Sequence, residues 1–235
     1  MKEKINEYKE KFKMFWDETY NRKILYFYFF VAIFVTFLIE LFSGMNSTDH
    51  SNWQGVLFLI GSPYIFICNA LIVLFTLSFT LLMRRRLFGI CLVSGVWMLL
   101  GCTNAVLVGI RVTPLIRSDL SMLDTGMQIA DKYLSVWQMV GMILTMILGV
   151  VVLVVVYIKA PKIDHKIRLH RDIITILIIG VLCVGSIELG RASNLITKKF
   201  DNLRNCYFEY GFVYCFTNSV FNMGVDKPVI IMNYW

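Results

Sequence analysis

The stretch LFGICLVSGVWMLLGCTNAVLVGI (residues 87–110), followed directly by RVTPLIRSDL (residues 111–120), decides the fold. A helix that spans a membrane needs about 20 mainly apolar residues, and residues 87–110 exceed this length without one charged side chain. Pro114 then ends the helix, because the residue before a proline disfavours the helical region. The sequence therefore predicts a membrane span that ends in a polar, charged turn.

Four further apolar runs flank this span. Of the 235 residues, 57% are hydrophobic and 17% are charged, whereas apolar residues including Gly make up roughly 45–50% of ordinary soluble domains. Gly61-Ser62-Pro63 interrupts the second run and predicts a kink at Pro63. We predict an all-α, polytopic membrane protein with five transmembrane helices, at about residues 24–42, 56–83, 87–110, 136–158 and 173–189.

The basic residues predict how these helices cross the membrane. Fifteen Lys and Arg residues lie before the first run and in the loops at 84–86 and 159–171, against three in the alternate loops. This positive-inside bias places the N-terminus in the cytoplasm and the C-terminus outside the cell, in a multi-pass protein of the plasma membrane. It also excludes nucleic acid as the reason for the net charge of +7. The first run lacks a small-residue cleavage site, so we expect it to stay as a helix.

The segments outside the five-helix domain (residues 23–190) have patterns of their own. Residues 1–22 alternate aromatic and charged residues at helical spacing and predict a cytoplasmic amphipathic helix. Residues 112–135 predict an amphipathic outer loop. Residues 191–235 form an extracellular tail, in which aromatic residues occupy every even position from 208 to 216. This alternation leaves two interpretations open: a strand, or a segment in the membrane interface.

The polar turn after residue 110 is the candidate binding site. Asn104 and Arg111 are seven residues apart, so they lie on one face of a helix and about 10 Å apart. The amide then lies inside the apolar layer and the guanidinium at its edge, which suits a lipid phosphate. Arg117 can make a second charge-assisted contact, Thr113 or Asn104 can add hydrogen bonds, and Asp119 can orient one of the arginines. We therefore predict a lipid headgroup site formed by these five residues.

A second group of polar residues lies at the predicted outer ends of three spans. Glu40, Arg111, Glu188 and Arg191 reach the same depth if the orientation is right. Carboxylates within spans are rare and costly, which favours an outer-leaflet polar cluster. The alternative, that each side chain acts alone and that Glu188 and Arg191 form a simple ion pair, stays open.

The cysteine and histidine residues indicate little chemistry. Cys206 and Cys215 lie in the predicted outer tail, where a disulfide is chemically possible. The other four cysteines lie within apolar runs and are typical of small core residues. His165 and His170 have no Cys or Glu partners at metal-ligand spacing, so the sequence predicts no metal site.

The order of these parts resembles the N-terminal membrane domain of the lipoteichoic acid synthase-like, sulfatase-type phosphoglycerol transferases. The resemblance covers roughly residues 20–228. It is carried by an Asn…Arg-x-Thr-Pro-Leu…Asp-Leu segment after the third span, by Phe200-Asp201-Asn202 and by Tyr210-Gly211-Phe212 after the fifth. The residues of the first segment are Asn104, Arg111, Thr113, Pro114, Leu115, Asp119 and Leu120.

The resemblance implies a role in the cell-wall biogenesis of Gram-positive bacteria. In that family an extracellular sulfatase-like domain follows the membrane domain, and its threonine nucleophile and divalent metal, commonly manganese, move glycerol phosphate from phosphatidylglycerol onto a polymer. This chain departs from the family by ending before that domain, as a truncated member, a membrane domain produced for study or a separate membrane-only relative would. We therefore expect a membrane anchor that presents phosphatidylglycerol, with no complete active site and no cofactor of its own.

The alternative function is a small non-enzymatic membrane protein, either a transporter or an accessory subunit. In such a protein Glu40, Asn69, Asn104 and Glu188 would line a polar path. Five spans give no inverted-repeat arrangement, and matching broken helices are not evident in the sequence, which disfavours a transporter.

Overall fold

The computed structural model describes residues 20–45, 54–111, 113–121, 136–160, 169–196 and 203–221. Within these ranges the chain is helical and contains no strand, which confirms the predicted all-α class. The helices are α1 (Tyr20–Met45), α2 (Gln54–Gly61), α3 (Pro63–Ser78), α4 (Arg86–Arg111), α5 (Arg117–Ser121), α6 (Val136–Lys159), α7 (Leu169–Ala192), α8 (Leu203–Tyr210) and α9 (Phe212–Phe221), with a 3₁₀ helix at Phe79–Leu82. The predicted helix at 1–22 lies almost wholly outside the described residues, and so do residues 122–135 of the predicted outer loop at 112–135.

Four segments are long and apolar enough to cross a membrane: Ile24–Phe42, Pro63–Leu82, Arg86–Gly109 and His170–Ala192. They correspond to the first, second, third and fifth predicted runs. The fourth run forms α6, whose apolar part with described side chains, Ile147–Lys159, is shorter than a span. A membrane protein with several apolar helices is therefore supported, whereas the fifth span and the orientation stay predictions.

The second run is interrupted where the sequence predicted a kink. α2 ends at Gly61, and α3 begins at Pro63, which occupies the first helical turn. Proline is well tolerated there, because its missing N–H would have no partner within the helix. Ser62 between the two helices has non-helical angles of φ −136° and ψ 59°.

The core forms where α1 packs against α3 and α4, and where α3 packs against α7. A Cβ atom at Gly101 of α4 would lie 2.9 Å from Ile39 of α1, so the small residue permits this close approach. Polar side chains also join the helices: the Tyr28 and Thr80 hydroxyls lie 2.6 Å apart, and Trp97 Nε1 donates to Thr76 Oγ1 at 2.8 Å.

A buried ion pair ties α4 to α7 at one end of the bundle. Arg86 Nη2 lies 3.0 Å from Asp172 Oδ2, and both side chains are at most 10% exposed. Asp172 is in the first turn of α7, where a carboxylate also interacts favourably with the helix dipole. The sequence alone indicates no partner for either residue, since they lie 86 positions apart.

The helices α8 and α9 lie at the opposite end and pack against the bundle. α9 contacts α1, α3, α4 and α5. The aromatic residues that alternate in sequence are parts of helices, and all of them except the half-buried Phe208 are buried, so the strand interpretation of 208–216 is wrong. The physical reason is that Gly211 divides the segment into two helices, whose aromatic side chains fill the space against α1 and α3.

Candidate functional site

The site is organised around a break between two helices at Gly211. α8 ends at Tyr210, α9 begins at Phe212, and Gly211 adopts a left-handed φ of +78°. A Cβ atom at this position would lie 2.9 Å from both Glu40 Oε1 and Asn69 Nδ2. Glycine is therefore favoured twice, by its backbone angle and by the close approach of two polar side chains.

Asn69, from α3, forms hydrogen bonds with the backbone on both sides of this break. Its Nδ2 donates to the Tyr210 carbonyl oxygen at 2.9 Å and to the Ile65 carbonyl of its own helix at 2.8 Å. Its Oδ1 accepts from the Tyr214 backbone N–H at 2.7 Å. Groups at helix ends lack partners within the helix, and this fully buried amide supplies partners to the end of α8 and the start of α9.

Glu40, from α1, supplies a further acceptor to the start of α9. Its Oε1 accepts from the Phe212 N–H at 2.9 Å, and the residue is only 6% exposed. The N-terminus of a helix stabilises a nearby carboxylate through its N–H groups and its dipole. A carboxylate near the end of an apolar span needs such partners, so Glu40 acts as a remote cap of α9.

Arg191, at the end of α7, also contacts α9. The pair that the sequence suggested is present, since Arg191 Nη1 lies 2.7 Å from Glu188 Oε1. In addition, Arg191 Nη2 donates to Tyr214 Oη at 3.3 Å and to Asn218 Oδ1 at 3.4 Å. Glu40 and Arg191 of the predicted outer cluster thus both reach α9. The side chain of Arg111, which ends α4, lies outside the described part of the chain.

The polar turn after α4 is fixed through Leu115. Asn104 Oδ1 accepts from the Leu115 N–H at 2.9 Å, and Tyr207 Oη donates to the Leu115 carbonyl at 2.7 Å. Burial raises the pKa of the Tyr207 phenol well above its ordinary value, so the hydroxyl stays protonated and can donate. The backbone N–H and the carbonyl of Leu115 are therefore both hydrogen-bonded, the N–H to a residue of α4 and the carbonyl to a residue of α8.

The remaining predicted site residues follow in the next turn. Asp119 Oδ2 accepts from the Ile116 N–H at 2.9 Å at the start of α5. Arg117 is exposed, and its Nη1 donates to the Val220 carbonyl at 3.2 Å, in the last turn of α9. A cation is favoured at that end of a helix. Thr113 is exposed beside buried Pro114.

Cys206 and Cys215 lie on the two helices of the break. Both are buried thiols, and Cys215 Sγ donates to the Cys206 carbonyl oxygen at 3.3 Å. Burial raises the pKa of the Cys215 thiol well above its ordinary value, so the reactive thiolate is disfavoured in the folded chain. The disulfide between them stays a prediction.

Tyr207 and Gly211 were not among the predicted site residues, and Asn69 was named only for the polar path of the alternative function. A signal for them was present in the sequence, because a buried amide in an apolar run and a single Gly between aromatic residues both need a structural reason. What the sequence did not reveal is that these residues meet. Among the described residues, no group of three or more His, Cys, Asp or Glu could hold a metal ion.

Comparison with known proteins gives no further assignment: no family model, curated protein or solved structure matches this chain.

Proposed function

We propose that this chain is the membrane domain of a lipoteichoic acid synthase-like phosphoglycerol transferase, and that it presents phosphatidylglycerol at the outer surface of the membrane. In this proposal five helices span the membrane, the N-terminus is cytoplasmic, and residues 111–119 contact the lipid phosphate. The catalytic step belongs to a separate sulfatase-like domain, and the metal that such a domain needs is bound there.

The observation that supports this proposal best is the double anchoring of Leu115. Its N–H and its carbonyl are bonded to Asn104 and Tyr207, which belong to two different helices. The exposed residues on either side of it, Thr113 and Arg117, are thereby held on a fixed backbone. Preorganisation of this kind lowers the entropic cost of binding a ligand.

Arg117 has the chemistry that a phosphodiester requires. A guanidinium carries five N–H donors, and one terminal nitrogen of Arg117 contacts the Val220 carbonyl. Arg111 ends α4 six residues earlier and adds a second positive charge to the same short segment. Charge-assisted hydrogen bonds from arginine to phosphate are about twice as strong as neutral ones.

The polar residues inside the bundle favour an anchor over a transport path. Three of the four residues that a path would use, Glu40, Asn69 and Asn104, accept hydrogen bonds from backbone N–H groups. They therefore fix the backbone of α9 and of the turn after α4. This use of the buried polar groups favours the phosphoglycerol-transferase proposal over the small transporter.

Lipid binding tests the first half of the proposal. The purified chain is titrated with phosphatidylglycerol and with phosphatidylcholine, and retained lipid is counted by native mass spectrometry. We expect Arg111→Gln/Arg117→Gln to lower the preference for phosphatidylglycerol about tenfold or more, since a hydrogen bond to a charged group contributes about 1.5–3 kcal/mol.

Arg204→Gln is the matched control, because Arg204 is also at this end of the bundle and lies 5.8 Å from the Phe208 ring. It should keep the wild-type preference. If the double variant binds phosphatidylglycerol as well as the wild type, these arginines do not form the headgroup site.

Polymer synthesis tests the second half. The chain is fused ahead of the extracellular catalytic domain of a lipoteichoic acid synthase, and the glycerol phosphate polymer formed from phosphatidylglycerol is measured. The wild-type fusion should support synthesis, and the double variant should give less than about a tenth of it, in line with the weakened lipid contact. Inactivity of the wild-type fusion, with the catalytic domain intact, would reject the transferase assignment while leaving lipid binding untouched.

A further inference from the structure

The three consecutive arginines at the other end of the bundle differ in their partners. Arg84–Arg86 connect the 3₁₀ helix to α4. Arg86 already has partners within the protein. It is paired with Asp172 at 3.0 Å, and its Nε donates to the Leu81 carbonyl at 3.1 Å. Its charge is matched by one buried carboxylate, that of Asp172. This ion pair gives no reason for the positive charges of Arg84 and Arg85.

Arg85 is held against an aromatic ring. Its guanidinium carbon lies 4.1 Å from the centre of the Tyr157 ring, near the end of α6. Phe88 packs on the same ring, with 5.1 Å between ring centres and an interplanar angle of 76°. The ring thus fixes the plane of the guanidinium. Yet Nη1 of Arg85 is buried and has no hydrogen-bond acceptor in the part of the chain that the structure describes.

The charges of Arg84 and Arg85 are also not neutralised by the described residues. Arg84 is exposed. The carboxylate at this end, Asp172, is matched by Arg86. The other described acidic residues lie on the opposite side of the bundle or on α8: Glu40, Asp119, Glu188 and Glu209. Among the described residues, these two adjacent guanidinium groups therefore have no countercharge.

We propose that Arg84 and Arg85 bind the phosphate of an anionic phospholipid, at a second site independent of residues 111–119. The candidate span Arg86–Gly109 begins at the next residue, so the two guanidinium groups lie at the membrane boundary, at the level of lipid headgroups. Basic pockets between membrane helices bind such headgroups. Tyr157 orients Arg85, and the phosphate oxygens supply the acceptors that the described residues do not provide.

The test is a competition between lipids in the purified full chain. Phosphatidylglycerol and phosphatidylcholine are titrated against a protein with Arg84 and Arg85 intact and against Arg84→Gln/Arg85→Gln, and retained lipid is counted by native mass spectrometry. Both proteins carry Arg111→Gln/Arg117→Gln, so that the other proposed site does not contribute. The protein with Arg84 and Arg85 intact should prefer phosphatidylglycerol over phosphatidylcholine at least about tenfold more strongly than the protein with both replaced by glutamine. This factor is expected for the loss of one charge-assisted hydrogen bond.

Two further variants separate binding from a general loss of structure. Tyr157→Leu keeps both charges but removes the ring, and should lower the preference severalfold, whereas Tyr157→Phe should retain it because a phenyl face also holds a cation. Arg204→Gln is the control for loss of an arginine that lies over a ring elsewhere.

Three results would overturn the proposal. The first is an unchanged preference in Arg84→Gln/Arg85→Gln, which would leave these arginines without a ligand role. The second is an equal loss in Arg204→Gln, which would reduce the effect to overall charge. The third is displacement of phosphatidylglycerol by millimolar inorganic phosphate, which would identify a soluble anion as the ligand.

Discussion

Replacing Asn69 with leucine should release α8 and α9 from the bundle. Leucine has the same branched shape but cannot hydrogen-bond, so the Tyr210 carbonyl and the Tyr214 N–H would both lose the bond to residue 69 while still buried. An unsatisfied buried backbone group costs about 1–3 kcal/mol, so the two together cost about 2–6 kcal/mol. Because 1.4 kcal/mol corresponds to a factor of ten, the open state should become about 30-fold more populated, or more.

The thiol of Cys215 reports this opening. It is 2% exposed in the folded chain, and burial raises its pKa, so modification by a maleimide requires the helices to open. In nanodiscs, with the other five cysteines replaced by alanine, the labelling rate follows the open population when reclosing is faster than modification. We expect Asn69→Leu to raise this rate about 30-fold or more.

The control for this experiment removes a different hydrogen bond between helices. Thr76→Val deletes the acceptor of the Trp97 indole, in the middle of the bundle, and should leave the Cys215 rate nearly unchanged. An Asn69→Leu rate within about threefold of the wild type, less than 1 kcal/mol by the same conversion, would refute the Asn69 hydrogen bonds to Tyr210 and Tyr214 as the reason that α8 and α9 are docked.

Three further substitutions have expected outcomes. Gly211→Ala should raise the Cys215 labelling rate at least as much as Asn69→Leu, because a Cβ atom would lie 2.9 Å from Glu40 Oε1 at a left-handed φ; a wild-type rate would contradict the geometry of the break. Glu40→Gln keeps an oxygen acceptor for the Phe212 N–H, so its Cys215 should be labelled slowly. Glu40→Leu leaves that N–H unpaired, so its Cys215 should be labelled at least about fivefold faster than in Glu40→Gln. Equal labelling rates in the two variants would exclude Glu40 as a cap of α9. Arg86→Leu leaves Asp172 as an uncompensated buried charge and should destabilise the chain by about 3–5 kcal/mol, measured as a lower thermal midpoint in detergent. An unchanged midpoint would show that the ion pair contributes nothing to stability.

The long helices were predictable because their signal is local. An apolar run such as residues 87–110 has to be helical in lipid, where every backbone polar group must be paired internally. The break before Pro63 and the pairing of Glu188 with Arg191 were also predictable, since both depend on residues at most three positions apart. These features need no knowledge of the tertiary structure.

The site was less predictable because it depends on contacts between distant residues. Asn69 meets Tyr210 and Tyr214, which lie 141 and 145 positions later in the chain. Alternating aromatic residues in 208–216 fit a strand as well as they fit two helices packed against α1 and α3. The choice is made by Glu40 and Asn69, whose hydrogen bonds stabilise a helix break at Gly211. The ion pair between Arg86 and Asp172 also joins distant residues, which lie 86 positions apart.

The contact between arginine and lipid phosphate can be measured directly by ¹⁵N–³¹P dipolar dephasing in phosphatidylglycerol bilayers, with ¹⁵N in the arginine side chains. The measurement compares the chain carrying Arg84→Gln/Arg85→Gln with the same chain also carrying Arg111→Gln/Arg117→Gln. A guanidinium that donates to a phosphate oxygen has its nitrogen within about 4 Å of phosphorus, so the first protein should show dephasing that the second loses. Equal dephasing in the two proteins would contradict a headgroup site at residues 111–119.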